Sequence, residues 1–500
     1  MEKRHTARAG AARAGFGSML AVALAAAVPA SGILATATLH AQVQSAPLQN
    51  QSSATNSYFG SVTIGTASDS VLKLSFDDAI QMGLKNNLGL TLAREDQNIA
   101  AANQLEALNP LLPQVNLEGQ TGVHQYNLGA EGFTPGVGAQ FAKLLNLPPG
   151  AFSPITRADV TIGQANYSQT LFDWPLIDRY RESKASRTAA FYNTQSARGL
   201  VVLNVGNAYL QALAAGAQVD YAEALLRTDQ TLLDQAVAEH QAGTVANLEE
   251  LRARVQFQSQ QQALIATRNN FEKAKIALER EIGVPPGQNI QLTDTSPYAE
   301  LKAMSIADAR ERAYASRQDY QSMQAQIRAA QLERNAAKHE RLPTLNFGGD
   351  YGVTGVSGQV FHGTFLAQGE LKVPVFREAR FRGDREVAEA QLSNDLSQFA
   401  DLKNRIDAQL RDSLLDVETD SQLVKVARSN VDLAQQALSD ATMRFTSGVD
   451  DNLPVMEAQS ALVGAQARLI QAQFNYNYAK LVLARNTGVV ETQYRTYLGR

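Results

Sequence analysis

Leu112-Pro-Gln-Val-Asn-Leu117 returns 230 residues later as Leu342-Pro-Thr-Leu-Asn-Phe347. In each copy the proline, Pro113 or Pro343, stops any preceding helix, because it lacks an N–H and pushes the residue before it towards extended backbone. Beyond each proline the residues alternate. In 343–354, Leu345, Phe347, Tyr351 and Val353 alternate with Asn346, Gly348, Asp350 and Thr354. In 360–376, Phe361, Phe365, Leu371, Val373 and Val375 alternate with His362, Thr364, Gln368, Glu370 and Lys372, and Val115, Leu117, Thr121 and Val123 do likewise in the first copy. This is the apolar-out, polar-in dyad of a membrane β-strand. The segment 158–172 alternates poorly. Each copy thus supplies one hairpin, at about 113–172 and 343–376, and four strands cannot close a barrel. Assembly with other copies is expected; a small soluble hairpin domain is the alternative that alternation alone leaves open.

The rest of the chain repeats in the same order. Leu74-Ser-Phe-Asp-Asp-Ala79 corresponds to Met304-Ser-Ile-Ala-Asp-Ala309 at the same offset of 230. Leu171-Phe172 matches Val375-Phe376, Gly243-x3-Asn247-Leu248 matches Gly448-x3-Asn452-Leu453, and Gly283 matches Gly488, the glycines at an offset of 205. The first copy therefore carries about 25 extra residues between its Leu-Pro and Leu-Phe signals, and local composition would not hold one offset across each block. Ser75 and Ser305, each with an acid three residues on (Asp78, Asp308), read as helix N-caps. Long helices are predicted over 174–241 and 377–446, free of proline after Pro175 and Pro374, each reaching roughly 100 Å at 1.5 Å per residue. Turns come next at 240–248 and 445–453, and a helix returns to Gly283 or Gly488. The domains predicted are a first repeat (71–284), a linker (285–303), a second repeat (304–489) and a C-terminal tail (490–500).

Lys3, Arg4, Arg8 and Arg13 precede a short apolar run, Met19 to Val28, and then small residues to Ala41. This reads as a signal peptide over 1–41, too short for a permanent anchor. Cleavage after Ala30, Ala37 or Ala41 fits, with Ala41 favoured; the mature charge is then −7, against −4 for the whole chain. Residues 42–70 read as a polar tail. No other stretch is read as apolar enough for a transmembrane helix, so a membrane crossing would be a β-barrel. The chain has no cysteine, which excludes disulfides, thiolate chemistry and a lipid-attachment cysteine, and its charge does not suggest a nucleic-acid partner.

The helix after Gly448 carries two apolar rhythms. Leu453, Met456, Val463, Ala467, Ile470, Phe474, Leu481 and Ala484 follow a heptad, with Ser460 and Asn477 as lapses. Two residues later Val455, Ala458, Leu462, Ala465, Leu469, Ala472, Tyr476, Ala479 and Leu483 follow another. Two residues turn a helix by about 200°, so the seams lie on opposite flanks. Gln459, Gln466, Arg468, Gln471, Gln473 and Asn475 are assigned to the polar faces between them. A helix with a neighbour on each side belongs to a wall of helices, and a closed wall is a tube. The counterpart helix after Gly243 (Leu248, Leu251, Val255, Ile265, Ile276) is less regular.

In this order of parts the chain resembles the outer-membrane efflux protein (TolC-like) family. The carriers are Ser75-Phe-Asp-Asp-Ala79, the two Leu-Pro strand starts, Pro374-Val-Phe376, Phe445-x-x-Gly448, and the doubled helix ending in Gly283 and Gly488. The resemblance covers about 72–490. It implies a mainly α protomer of a homotrimer, with a twelve-helix periplasmic tunnel under a twelve-stranded barrel held in outer-membrane lipid. It implies an exit duct of a tripartite efflux or type I secretion system, joined to an RND or ABC inner-membrane pump through a periplasmic adaptor, with no cofactor, no metal and no catalysis. The glycine turns, Gly243 and Gly448, would form the periplasmic tip. Of the two constriction acids of the family, Glu457 is retained and Pro454 replaces the other. Asp450 stands where the family has a basic residue that pairs with a first-half acid, here Glu249. An acidic collar of Glu457 with Asp450 or Asp451 that favours cations is expected, beside the simpler reading of solvated turn acids.

No P-loop, H-E-x-x-H or G-x-S-x-G motif occurs, and the six histidines are scattered. A non-porous coiled-coil scaffold or surface protein is the other alternative, but it leaves the paired hairpins and the two-seam helix without a purpose.

Overall fold

Ser75 opens the first repeat as a reciprocal capping box with Asp78, and Ser305 caps the second by accepting from Asp308 N–H. The computed structural model describes residues 53, 55–63, 65–148, 150–153, 155–295, 298–356, 360–447, 449 and 453–499. The signal-peptide assignment lies outside them. The strand β1 (Leu72–Leu74) leads into α1 (Phe76–Asn86) and α2 (Leu88–Leu108), and the second repeat begins with α6 (Ile306–Ser316) and α7 (Gln318–His339). One continuous helix was expected in each place. Instead Asn87 and Arg317, again 230 apart, adopt extended backbone and break it. Asn87 is stabilised there because its side chain accepts from Leu90 N–H and donates to the Tyr58 carbonyl.

Strands begin directly after both prolines: β2 (Gln114–Asn127) and β3 (Ile155–Phe172) form the first hairpin, β5 (Thr344–Val356) and β6 (His362–Lys372) the second. The final strand stops at Lys372, short of the 376 expected, with Pro374 just beyond. The long loop of the first hairpin holds the short helix α3 (Pro135–Leu144), which accounts for the extra residues of that half. The four strands pair antiparallel in the order β2-β3-β5-β6. Register places Leu117, Ala165, Tyr351 and Phe365 in one row and Glu118, Gln164, Gly352 and Thr364 in the next, facing the other way. One face is therefore apolar. The other carries Glu118, which accepts from Asn166 at 2.9 Å, and Asp350 beside it. Strand β3 alternates poorly because Ala158 and Val160 on the polar face line an apolar hollow with Tyr126 and Val356 near the loop end; with a partner on each edge, β3 needs no alternation to be held.

The long helices are α4 (Trp174–Gln241) and α8 (Glu378–Thr446), capped at the first by Asp173 with Pro175 in the opening turn. The returning helices are α5 (Asn247–Ile282) and α9 (Leu453–Asn486). In its N-terminal half α4 lies between α2 and α7: Arg187 donates to Gln104 of α2, and Asp178 accepts from His339 of α7. Nine residues turn a helix by about two and a half turns, so these contacts are on opposite flanks. In its C-terminal half α4 lies between α5 and α9, and α9 in turn packs on α8. The result is a wall of helices, one layer thick. A window of α4 is apolar enough to resemble a membrane span, which corrects the expectation that no stretch outside the leader is. Its apolar residues are explained by packing, since Val201, Val202, Val205, Tyr209 and Leu213 are all buried.

The main core forms where the two repeats meet on α4. It joins α1, the ends of α5 and α9, the parallel pair β1 with β4 (Ile290–Leu292), and α10 (Val490–Leu498). The expected linker thus contributes a strand, and the expected tail is a helix that buries Tyr494, Tyr497 and Leu498. Part of the polar tail also docks, with Ser61 donating to the Glu281 carbonyl and the Tyr58 ring against Gly89. At the centre the Tyr209 hydroxyl lies 2.9 Å from the Leu74 carbonyl and 2.8 Å from Asp294, which also accepts from Phe76 N–H at 2.7 Å. Tyr209→Phe removes a hydroxyl from the Leu74 carbonyl and the half-buried Asp294 carboxylate, each of which keeps a backbone N–H, and is expected to cost about 0.5–1.5 kcal/mol, read as a lowered denaturant midpoint of the detergent-solubilised protein.

Candidate functional site

The residues singled out from the sequence lie at the two ends of the helix wall and along it. At the first tip, α4 ends because Gly243 takes a left-handed φ of +72°, and Thr244 N–H then reaches back to the Glu239 carbonyl at 3.0 Å. In the second tip Val449 N–H makes the same bond to the Arg444 carbonyl, also 3.0 Å, so the 205-residue offset holds at the level of single hydrogen bonds. Phe445 is half-buried beside it. Gly448, Asp450 and Asp451 lie outside the described residues.

The first tip is an ion-pair cluster. Glu250 accepts from His240 Nδ1 at 2.6 Å and from Arg254 at 2.6 Å, and these contacts, His240 first, hold its carboxyl below the usual range. Glu249 accepts from Arg252 at 2.8 Å, and its second oxygen is buried without a partner among the described residues. Glu457 is exposed at the start of the second turn of α9, close to the second tip. Pro113 and Pro343 stand at the other end, each one residue before a strand.

The wall carries the two seams of α9, but unequally. Val455, Leu462, Ala465, Ala472, Tyr476, Ala479 and Leu483 of the second seam are buried; in the first, Ile470, Leu481 and Ala484 are buried while Leu453, Ser460 and Ala467 are exposed. Gln459, assigned to a polar face, is instead buried against Asp229 of α4. Gln459 stands four residues after Val455 and three before Leu462, so helix geometry already places it on the face of the second seam. Lys480 was not singled out from sequence and is wholly buried. Its ammonium donates to the Ala299 carbonyl at 3.1 Å and lies 4.5 Å from the centre of the Tyr476 ring, and burial pulls it down to about 8. The only sequence signal was a lysine next to seam residues.

Two edges of the wall are bare. On α5, Leu248, Leu251, Val255, Ile265 and Ile276 are exposed, and on α8, Leu415, Leu423, Val426 and Leu433 are exposed. Both are stripes at heptad-like spacing. Among the described residues, strands β2 and β6 likewise each pair on one side only. Among the described residues nothing comes within 4 Å of a Cβ added at Gly243, so Gly243→Ala strains the backbone. It is expected to cost about 1–2 kcal/mol of local stability, read as faster amide exchange over 240–247 with the core unchanged.

The family model described as outer membrane efflux protein matches residues 79–284 and 309–489, the two repeats. The pyoverdine export outer membrane protein OpmQ of Pseudomonas putida is 26% identical over 426 residues, spanning 82% of this chain and 85% of that protein. The alkaline protease secretion protein AprF of Pseudomonas aeruginosa is 24% identical over 443 residues, spanning 84% and 87%. Among solved structures, the Campylobacter jejuni CmeC outer membrane channel shares the fold at a TM-score of 0.70 and 16% identity, over 83% of this chain and 86% of that one. The open state of the Neisseria gonorrhoeae MtrE outer membrane channel does so at 0.67 and 16%, over 86% and 95%. With both repeats matched in order, the chain belongs to the outer membrane efflux protein family.

Proposed function

We propose that three copies of this chain close a twelve-stranded barrel in the outer membrane over a twelve-helix periplasmic tunnel, and that this duct passes cargo outward from an inner-membrane pump through a periplasmic adaptor. The observation that carries the reading is the pair of bare edges. A sheet of four strands with one apolar face has an unfilled edge on β2 and on β6, and the helix wall below it has an unfilled apolar edge on α5 and on α8. Joining the edge of one copy to the opposite edge of the next satisfies both at once and closes after a whole number of copies. The apolar sheet face then meets lipid, and the face with Glu118, Asp350 and Glu370 lines water. A non-porous scaffold leaves that apolar face without an occupant. The relatives' names cover pyoverdine export and alkaline protease secretion, so the duct is read as serving whatever its pump selects.

Detergent-extracted protein is expected to be a trimer that conducts ions in a planar bilayer; a water-soluble elongated oligomer without conductance sinks the duct. Val255→Lys with Ile265→Lys changes residues 63% and 66% exposed on the α5 edge. Each loses roughly 1.5–3 kcal/mol of burial per interface, so folded monomers without conductance are expected.

The tip acids are read as an entrance collar, with Glu457 joined by Asp450 or Asp451. Three copies of these carboxylates around one axis favour cations electrostatically. Glu457→Gln and the Asp450→Asn, Asp451→Asn pair are expected to lower cation selectivity in single-channel recordings; unchanged selectivity in both rejects the collar.

A further inference from the structure

Asp229, about three turns above the first tip on α4, is 2% exposed, and Gln459, on the second turn of α9, is 1% exposed. The Gln459 amide donates to Asp229 Oδ1. The two remaining oxygens, Asp229 Oδ2 and Gln459 Oε1, are both buried, and neither meets a donor in full hydrogen-bond geometry among the described residues, although the Gln256 amide of α5 also acts on the carboxyl. Both are acceptors when the carboxyl is ionised, so they cannot satisfy each other, and a buried acceptor left alone is costly. One proton removes both orphans: a carboxylic acid O–H at Oδ2 donates to Gln459 Oε1 while the amide N–H donates to Oδ1. The acid and the amide then form a closed two-bond ring.

Among the described residues, no positive charge acts on the Asp229 carboxyl to hold it ionised. Burial pushes the Asp229 carboxyl up, while the amides of Gln459 and of Gln256 on α5 draw it down. On α4 the nearest charged residues, Arg227 and Asp234, are exposed; on α5 Arg252 pairs with Glu249; on α9 Glu457 is exposed. The position adds a consequence. Near the tip, α4 carries the first helical hairpin and α9 the second, and this ring crosses between them.

We propose that Asp229 and Gln459 form a one-proton site that latches the second helical hairpin to the first, and that loss of the proton loosens this seam. The proposal rests on the duct reading for its consequence, opening of the tip, but not for the proton site itself. The closed seam binds the proton more tightly than an opened, hydrated one. Its stability is therefore full at low pH and is lost as pH rises through the elevated value of the closed form.

The chain has no cysteine, so spin labels at Gln230→Cys and Ser460→Cys, both exposed, report the α4–α9 spacing in full-length protein whether or not it conducts. As pH rises from acid to alkaline through the raised titration of the Asp229 carboxyl, the short-distance population is expected to fall by more than half. Asp229→Asn, whose amide can donate to Gln459 Oε1 with no proton to lose, is expected to hold the short distance throughout. A flat profile in the parent protein, or a titration unchanged by Asp229→Asn, overturns the latch. An intact titration in a protein that never conducts counts against the duct and leaves the latch standing.

Discussion

A backbone N–H or C=O with no partner in hydrocarbon costs several kcal/mol, and water cannot supply the partner there. The sheet β2-β3-β5-β6 has its apolar rows on one face and two strands paired on one side only. Such a sheet is stable in a bilayer only as part of a closed ring. The duplication halves the problem without solving it, since one hairpin per repeat yields four strands. The helix wall below the sheet likewise ends, among the described residues, in the exposed apolar stripes of α5 and α8, which the proposed assembly would cover.

Where the protomer is complete, it is complete through contacts between the repeats. Tyr209 of the first repeat sits under β1 and against Phe76 at 5.3 Å, while α10 from the far end of the chain anchors to α1 and α4. Tyr494 donates to Asp77, and Arg198 meets Glu491 with two nitrogens. This cluster sits at mid-height of α4, away from both tips. It holds the repeats together at one level and leaves the ends to weaker packing.

The weaker end is also where polar groups enter the seams. Asp229 and Gln459 occupy positions that apolar side chains would fill with more stability, because a buried polar pair gains little over an apolar one of the same shape. Lys480, by contrast, lies close to the main cluster, with a carbonyl and an aromatic ring as its partners. The same helix therefore carries one buried cation near the fixed level and one buried acid–amide contact near the tip.

Much of this was legible in the residues alone. The prolines at 113 and 343 set where strands begin, the absence of later proline allowed helices of 68 and 69 residues, and the glycine at 243 marked the turn. All of these are local: backbone sterics and periodicity act within a few residues. The breaks at Asn87 and Arg317, the strand β4, the helix α10, and the burial of Gln459 and Lys480 were not legible. Each depends on a partner far along the chain, such as Tyr58 for Asn87, β1 for β4 and Asp229 for Gln459. Short-range geometry written in the residues sets the repeated hairpins, long helices and turns and their order. Only the tertiary structure decided which polar residues lie inside the wall, because burial is set by what packs against a side chain and not by the side chain itself.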